Sequence, residues 1–165
     1  MKKRVVLFLV SCLLLCLDNT FAPFIAIRGA WPSFLFVFAI GYSLINGREE
    51  SIIIALMSGI LQDIFFSNIF GINCFINLIL CYFVAIVGEK IWREKSLVPI
   101  IIALVTTVFK FLGVYIIFYF LKENISLKLF RGMLSGLYNS VIMFLFYRLI
   151  LKFFYREDKR STWRF

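Results

Sequence analysis

The sequence predicts an all-α integral membrane protein, a compact bundle of about six transmembrane helices. Three observations carry that expectation. Residues 5–17, 31–45, 70–87 and 98–121 hold almost no charge, while Lys and Arg gather in the short segments between and beyond them. Hydrophobic residues make up 62% of the chain and aromatics 19%, with a mean hydropathy of +0.96. A soluble globule of 165 residues leaves too much of its surface in water to hide that apolar content.

A spanning helix needs ~20 mostly apolar residues at ~1.5 Å rise each. Six segments approach that size: 4–21, 31–45, 51–66, 70–90, 97–121 and 129–154. The second and third are short, and the third ends in Gln62-Asp63, so each is open to tilting, kinking or a partly re-entrant path. Polar or Gly/Pro-containing breaks separate them at 23–32, 46–50, 67–68, 90–96 and 122–128. The chain thus divides into a polytopic bundle, 1–154, and a short basic and aromatic tail, 155–165.

Orientation follows from the basic residues, because short positively charged loops stay in the cytoplasm. With six crossings, Lys2, Lys3, Arg4, Arg48, Lys90, Arg93, Lys95 and the tail bases share one side; Arg28, Lys122, Lys128 and Arg131 fall on the other. Both termini are therefore expected in the cytoplasm. Lys2-Lys3-Arg4 before an apolar run also resembles a secretory signal, but the run continues through Leu17 and Pro23 directly follows Thr-Phe-Ala, so cleavage is not expected. The net charge of +9 is split among loops facing lipid, which points to anionic lipid rather than nucleic acid.

Cys12, Cys16, Cys74 and Cys81 lie within apolar helices and are read as small hydrophobes. There is no His and no CxxC, so no metal site, cofactor or disulfide is expected. Enzyme signatures are missing too: no HExxH, GxSxG or Walker loop occurs, and no catalytic residue is assigned.

Polar groups at membrane depth are costly and are kept because they pair or work. Asp63 and Lys110 stand out, followed by Gln62, Asn73, Asn77, Arg131 and Asn139. Gly59 and Asp63, four apart, share a helix face that a neighbour can approach closely; Asn73 and Asn77 form a second stripe. An ion pair that fixes helix packing is the favoured interpretation of Asp63 with Lys110 or Arg131, over a proton relay, which needs several ionisable groups in series. Asp18 is placed near the outer end of its helix, within reach of water. With no internal symmetry of the kind transporters show, a scaffold or assembly subunit is the default expectation.

The stretch Gly59-Ile60-Leu61-Gln62-Asp63, followed by Phe70-Gly71-Ile72-Asn73 and a long apolar helix, resembles the rod shape-determining protein MreD family. The layout agrees in its basic amino terminus, Asp18, a Pro-containing outer loop, the Gly47-Arg48-Glu49-Glu50 turn, Asn139 and a basic tail. The resemblance implies a non-catalytic subunit of the bacterial cell-elongation machinery in the cytoplasmic membrane. It would work with the bitopic protein MreC, the filament protein MreB, and the peptidoglycan polymerase pair of RodA and a class B penicillin-binding protein. It also implies a bundle similar to the substrate-binding subunits of energy-coupling-factor vitamin transporters, which supplies an alternative function, small-molecule capture. Against that alternative, the first helix is Leu/Val-rich without a small-residue docking pair, and the outer loops are short. A partner groove is expected around Gly59, Asp63 and Gly71, with Asn73 and Asn77 beside it. The tail, with Arg156, Lys159, Arg160, Trp163 and Arg164, is expected to adhere to anionic lipid or to contact a cytoplasmic partner.

Overall fold

A computed structural model of the chain describes residues 2–66, 69–90, 97–121 and 129–154. They form five helices: α1 (Lys2–Thr20), α2 (Phe34–Phe66), α3 (Ile72–Lys90), α4 (Leu97–Phe120) and α5 (Leu129–Phe154). The tail bases and Trp163 lie outside the described residues. Three stretches, Ile72–Lys90, Leu97–Phe120 and Phe130–Phe154, are long and apolar enough to cross a membrane.

Helix α2 covers both the second and the third expected segments, and it breaks between them. Gly47 has φ 80° and ψ −179°, a backbone state open essentially to glycine alone, so it divides α2 into two arms at the charged Arg48-Glu49-Glu50 turn. Helix α3 packs along both arms. A Cβ on Gly59 would overlap the Cα of Cys74, and one on Gly88 would overlap the carbonyl oxygen of Leu44, so two glycines allow backbone-to-backbone approach at opposite ends of α3.

The second seam joins α4 to α5. Gly132, Gly136 and Ser140 recur every four residues on α5; a Cβ on Gly136 would sit 3.4 Å from the Leu104 carbonyl, and the Ser140 hydroxyl donates to the Ile100 carbonyl at 3.2 Å. Among the helices, α1 packs against α2 only. Its other faces present Val5, Phe8, Leu9 and Leu13 outward, the last two 61% exposed. Apolar surface on this scale belongs in lipid, where it carries no hydration penalty. The core is centred on α2, with Phe36, Ile40, Tyr42 and Ile54 buried against Cys81 of α3 and Met143 and Tyr147 of α5.

At the end of the bundle that carries the Gly47 break, packing is dense. Phe154 meets Phe38 and Tyr42 edge-on at 5.2 and 5.9 Å, and the Tyr42 hydroxyl donates to Glu50 at 2.7 Å. On its surface the Arg48 guanidinium forks onto the Glu89 carboxylate, with Nε at 3.0 and 3.1 Å from the two oxygens.

Candidate functional site

The site lies at the other end, where α1 finishes, α2 and α3 begin, and α4 and α5 converge. Its construction starts with the loop between α1 and α2. Ile27 and Ala30 exchange backbone hydrogen bonds of 3.1 and 3.0 Å across Arg28 and Gly29. Both central residues have positive φ, 52° and 76°, which is the two-residue hairpin turn that favours glycine in second place. The turn is held from below. The Arg28 guanidinium lies 5.8 Å from the centre of the Phe130 ring, and the guanidinium of Arg131 rests against Gly29, where an added Cβ would come within 3.0 Å of its Cζ.

Pro32-Ser33 then starts α2. Ser33 is the capping residue: its hydroxyl accepts from Phe36 N–H at 3.3 Å and its carbonyl accepts from Val37 N–H at 3.0 Å. Asp18 completes the cap from α1, accepting from Phe34 N–H at 2.6 Å, Leu35 N–H at 3.2 Å and the Ser33 hydroxyl at 3.0 Å. Asp18 is therefore buried, 4% exposed, where the sequence led us to expect a carboxylate open to water at its helix end. Two backbone amides and a hydroxyl at a helix start, with its partial positive charge, are a better partner for a carboxylate at this depth than the few waters available at a helix end.

Asp63 does the same for α3. Its two oxygens accept from the backbone N–H groups of Asn73 and Cys74, both at 2.9 Å, and from the Asn73 side-chain amide at 3.1 Å. Gly71, with φ 101°, makes the bend that points this helix start at Asp63. Gly59 and Asp63, one turn apart, thus both face the first turn of α3, while the space beside Gly71 is open.

The ion pair expected between Asp63 and Lys110 or Arg131 takes a different form. The Lys110 ammonium donates to Gln62 Oε1 and, at 2.9 Å, to Asn77 Oδ1, and it sits 4.3 Å from the centre of the Phe36 ring. Among the described residues, the ion pair within 4.0 Å is that of Arg48 with Glu89 at the opposite end. The physical reason is competition: helix amides surround both buried carboxylates, leaving the cation to amide oxygens and a ring face.

Gln62 and Asn77 carry this network onward. The Asn77 amide donates to Gln62 Oε1 at 3.0 Å and to the Ser58 hydroxyl at 3.3 Å, while the Gln62 amide donates to the Ser33 hydroxyl at 3.2 Å. Asn139 ties in the other hairpin. Its oxygen accepts from Ser33 N–H at 2.9 Å and its amide donates to the Thr107 hydroxyl at 3.0 Å. One connected set of hydrogen bonds thus links all five helices through Ser33.

Beside this network opens a cavity of about 360 Å³, walled by the loop turn, by Phe111, Val114 and Tyr115 of α4, and by Arg131, Ser135 and Asn139 of α5. Lys110 and Arg131 both line it, as does Asp18. The sequence singled out Gln62, Asp63, Asn73, Asn77, Lys110, Arg131 and Asn139, and the structure gathers them at one end. It missed Ser33, whose place after Pro32 and ahead of an apolar run is a helix-start signal, and Gly29, which only the turn geometry reveals.

No curated protein and no solved structure matches the chain. The family profile described as rod shape-determining protein MreD matches residues 1–156. That match spans every helix described above and all of the polar network, and the chain belongs to the MreD family.

Proposed function

We propose that this chain is a non-catalytic membrane subunit of the cell-elongation machinery. It associates within the bilayer with an MreC-like bitopic protein and so links an MreB filament to peptidoglycan synthesis by a RodA/class B penicillin-binding protein pair. The family match over residues 1–156 carries the proposal, since membership implies a role in rod-shape determination. Two structural facts support it. The membrane-depth carboxylates Asp18 and Asp63 both hold helix starts. The apolar faces of α1 that α2 leaves uncovered give a lateral partner a surface on which to lie.

With each arm of α2 crossing the bilayer, the chain crosses six times and both termini lie in the cytoplasm. The Gly47 break then faces the cytoplasm and the cavity faces outward. The tail bases Arg156, Lys159, Arg160 and Arg164, with Trp163, lie on the anionic inner leaflet in this arrangement.

The cavity itself favours a second reading, capture of a small molecule for a transporter, because such a subunit needs an outward pocket with polar groups aimed into it. Purification of the tagged chain from its native membranes separates the two. Recovery of an MreC-like bitopic protein is the expected result; recovery of an ATP-driven transport module with a trapped vitamin overturns the scaffold.

A further inference from the structure

We infer that the cavity beside Lys110 and Arg131 binds the acidic group of an anionic amphiphile, a phosphate or carboxylate attached to an apolar body. The inference is independent of whether the chain serves as a scaffold or a transport subunit. It begins with charge. Two cations and one carboxylate line the cavity. The carboxylate, Asp18, is saturated by two backbone amides and a hydroxyl at the start of α2. Lys110 is held by neutral amide oxygens and a ring face, which solvate an ammonium without cancelling its charge. Arg131 forms no ion pair among the described residues, and its guanidinium stands at the cavity rim against Gly29. Two cations thus face one carboxylate across this cavity; the one positive charge in excess is costly at membrane depth, and an anion entering here removes that cost.

Geometry sets the class of anion. A guanidinium presents a planar fork that matches two oxygens of a carboxylate or phosphate, and an ammonium adds a point charge. Ser135 and Asn139 lie on the same wall. The opposite requirement, an apolar body, comes from Phe111, Val114 and Tyr115 on consecutive turns of α4. At about 360 Å³ the cavity falls in the ~300–1,000 Å³ range of small-molecule sites. A headgroup with the first part of its chain fits that description better than a bare inorganic ion, which would leave the apolar wall unused.

The test uses the full chain purified in dodecyl maltoside, itself a neutral amphiphile with the same tail as the probe. Native mass spectrometry follows titration with dodecyl phosphate and, separately, with inorganic phosphate. The expected result is a 1:1 dodecyl phosphate adduct that forms against the excess of neutral detergent. Arg131→Gln should weaken it roughly tenfold or more, and Arg131→Lys should recover part of the loss. Inorganic phosphate binding much more weakly than dodecyl phosphate assigns the site to a membrane lipid headgroup; equal binding means that the apolar body adds nothing and overturns the amphiphile. Absence of a 1:1 dodecyl phosphate adduct on the wild-type chain overturns the proposal whatever the variants do. So does an adduct that Arg131→Gln leaves unchanged.

Discussion

The two ends of this bundle are built on different rules. At the Gly47 end, aromatic rings fill the space between helices, Gly88 brings α3 onto the carbonyl of Leu44, and the charges sit outside as an exposed Arg48–Glu89 pair. At the opposite end the charges are inside; Gly59 still brings α2 onto α3, but hydrogen-bonded side chains space the other helices, and a cavity remains among them. Packing alone can close an end of a membrane bundle, because lipid offers small residues no competition for close contact. Polar groups at the same depth each demand a partner, and their partners hold the helices far enough apart to leave room.

If that contrast is right, the largest effects come from the glycines at which α3 meets the arms of α2. Gly88→Ala and Gly59→Ala each place a Cβ inside neighbouring backbone, which no rotamer change relieves. Each should lower stability by about 3 kcal/mol or more. Thermal unfolding in detergent, followed by size-exclusion chromatography, measures it. Full tolerance of Gly88→Ala would mean that the Gly47 end is not held by helix contact.

Next in size is the cap on α3. Asp63→Ala leaves two part-buried N–H groups without their acceptor, at up to about 1–3 kcal/mol for each unsatisfied group. Asp63→Asn keeps one carbonyl oxygen and should lose less. A membrane-depth ion pair with Lys110 predicts the reverse of what the cap predicts in the double variant: under the cap, exchanging the two residues does not rescue the single changes. At the same end, Arg131→Gln should lower the unfolding temperature only slightly, since Arg131 touches the loop turn at Gly29 but takes no part in the hydrogen bonds that link the helices. A large loss of stability in that variant would merge the two roles that the comparison separates.

How far the sequence could be read follows the same division. Apolar runs bounded by charged breaks located the helices to within two residues for α3, α4 and α5, because in lipid the length of an apolar run is itself the structural constraint. The two short segments gave no sign that they form one broken helix, although Gly47 before three charges carried the cue. Within the site, the residue types were legible and the pairings were not. Asp63 was matched to the cations at membrane depth, Lys110 and Arg131, because side chains are what a sequence displays. Its actual partners are backbone amides of Asn73 and Cys74, which every residue possesses, so only the placement of a helix start reveals them. Asp18 reached the start of α2 through a loop whose turn depends on Gly29, a link that no spacing rule connects.

A smaller effect belongs to the break itself. Gly47 has open space around its Cα, so Gly47→Ala meets no steric obstacle and is opposed only by its own backbone state. Residues forced into such states cost of order 1–3 kcal/mol, which is less than a Cβ driven into backbone at Gly88. The expected outcome is a folded protein with a lower unfolding temperature and an altered spacing between Tyr42 and Glu50, read by cross-linking between cysteines placed at those positions. Normal stability and unchanged spacing would show that the arms of α2 are set by their contacts with α3 alone.

The smallest effect is expected at the ion pair that looks strongest. Arg48 and Glu89 make a forked contact, yet their side chains are 50% and 36% exposed, so water and salt screen the attraction and two long side chains lose freedom to form it. Arg48→Ala, Glu89→Ala and the double variant, compared in a cycle at low and high salt, should show a coupling near the limit of measurement that vanishes as salt rises. A coupling that persists in high salt would mean that the Gly47 end is held by charge in the same way as the site at the other end. The division between a packed end and a polar end would then fail where it is easiest to measure.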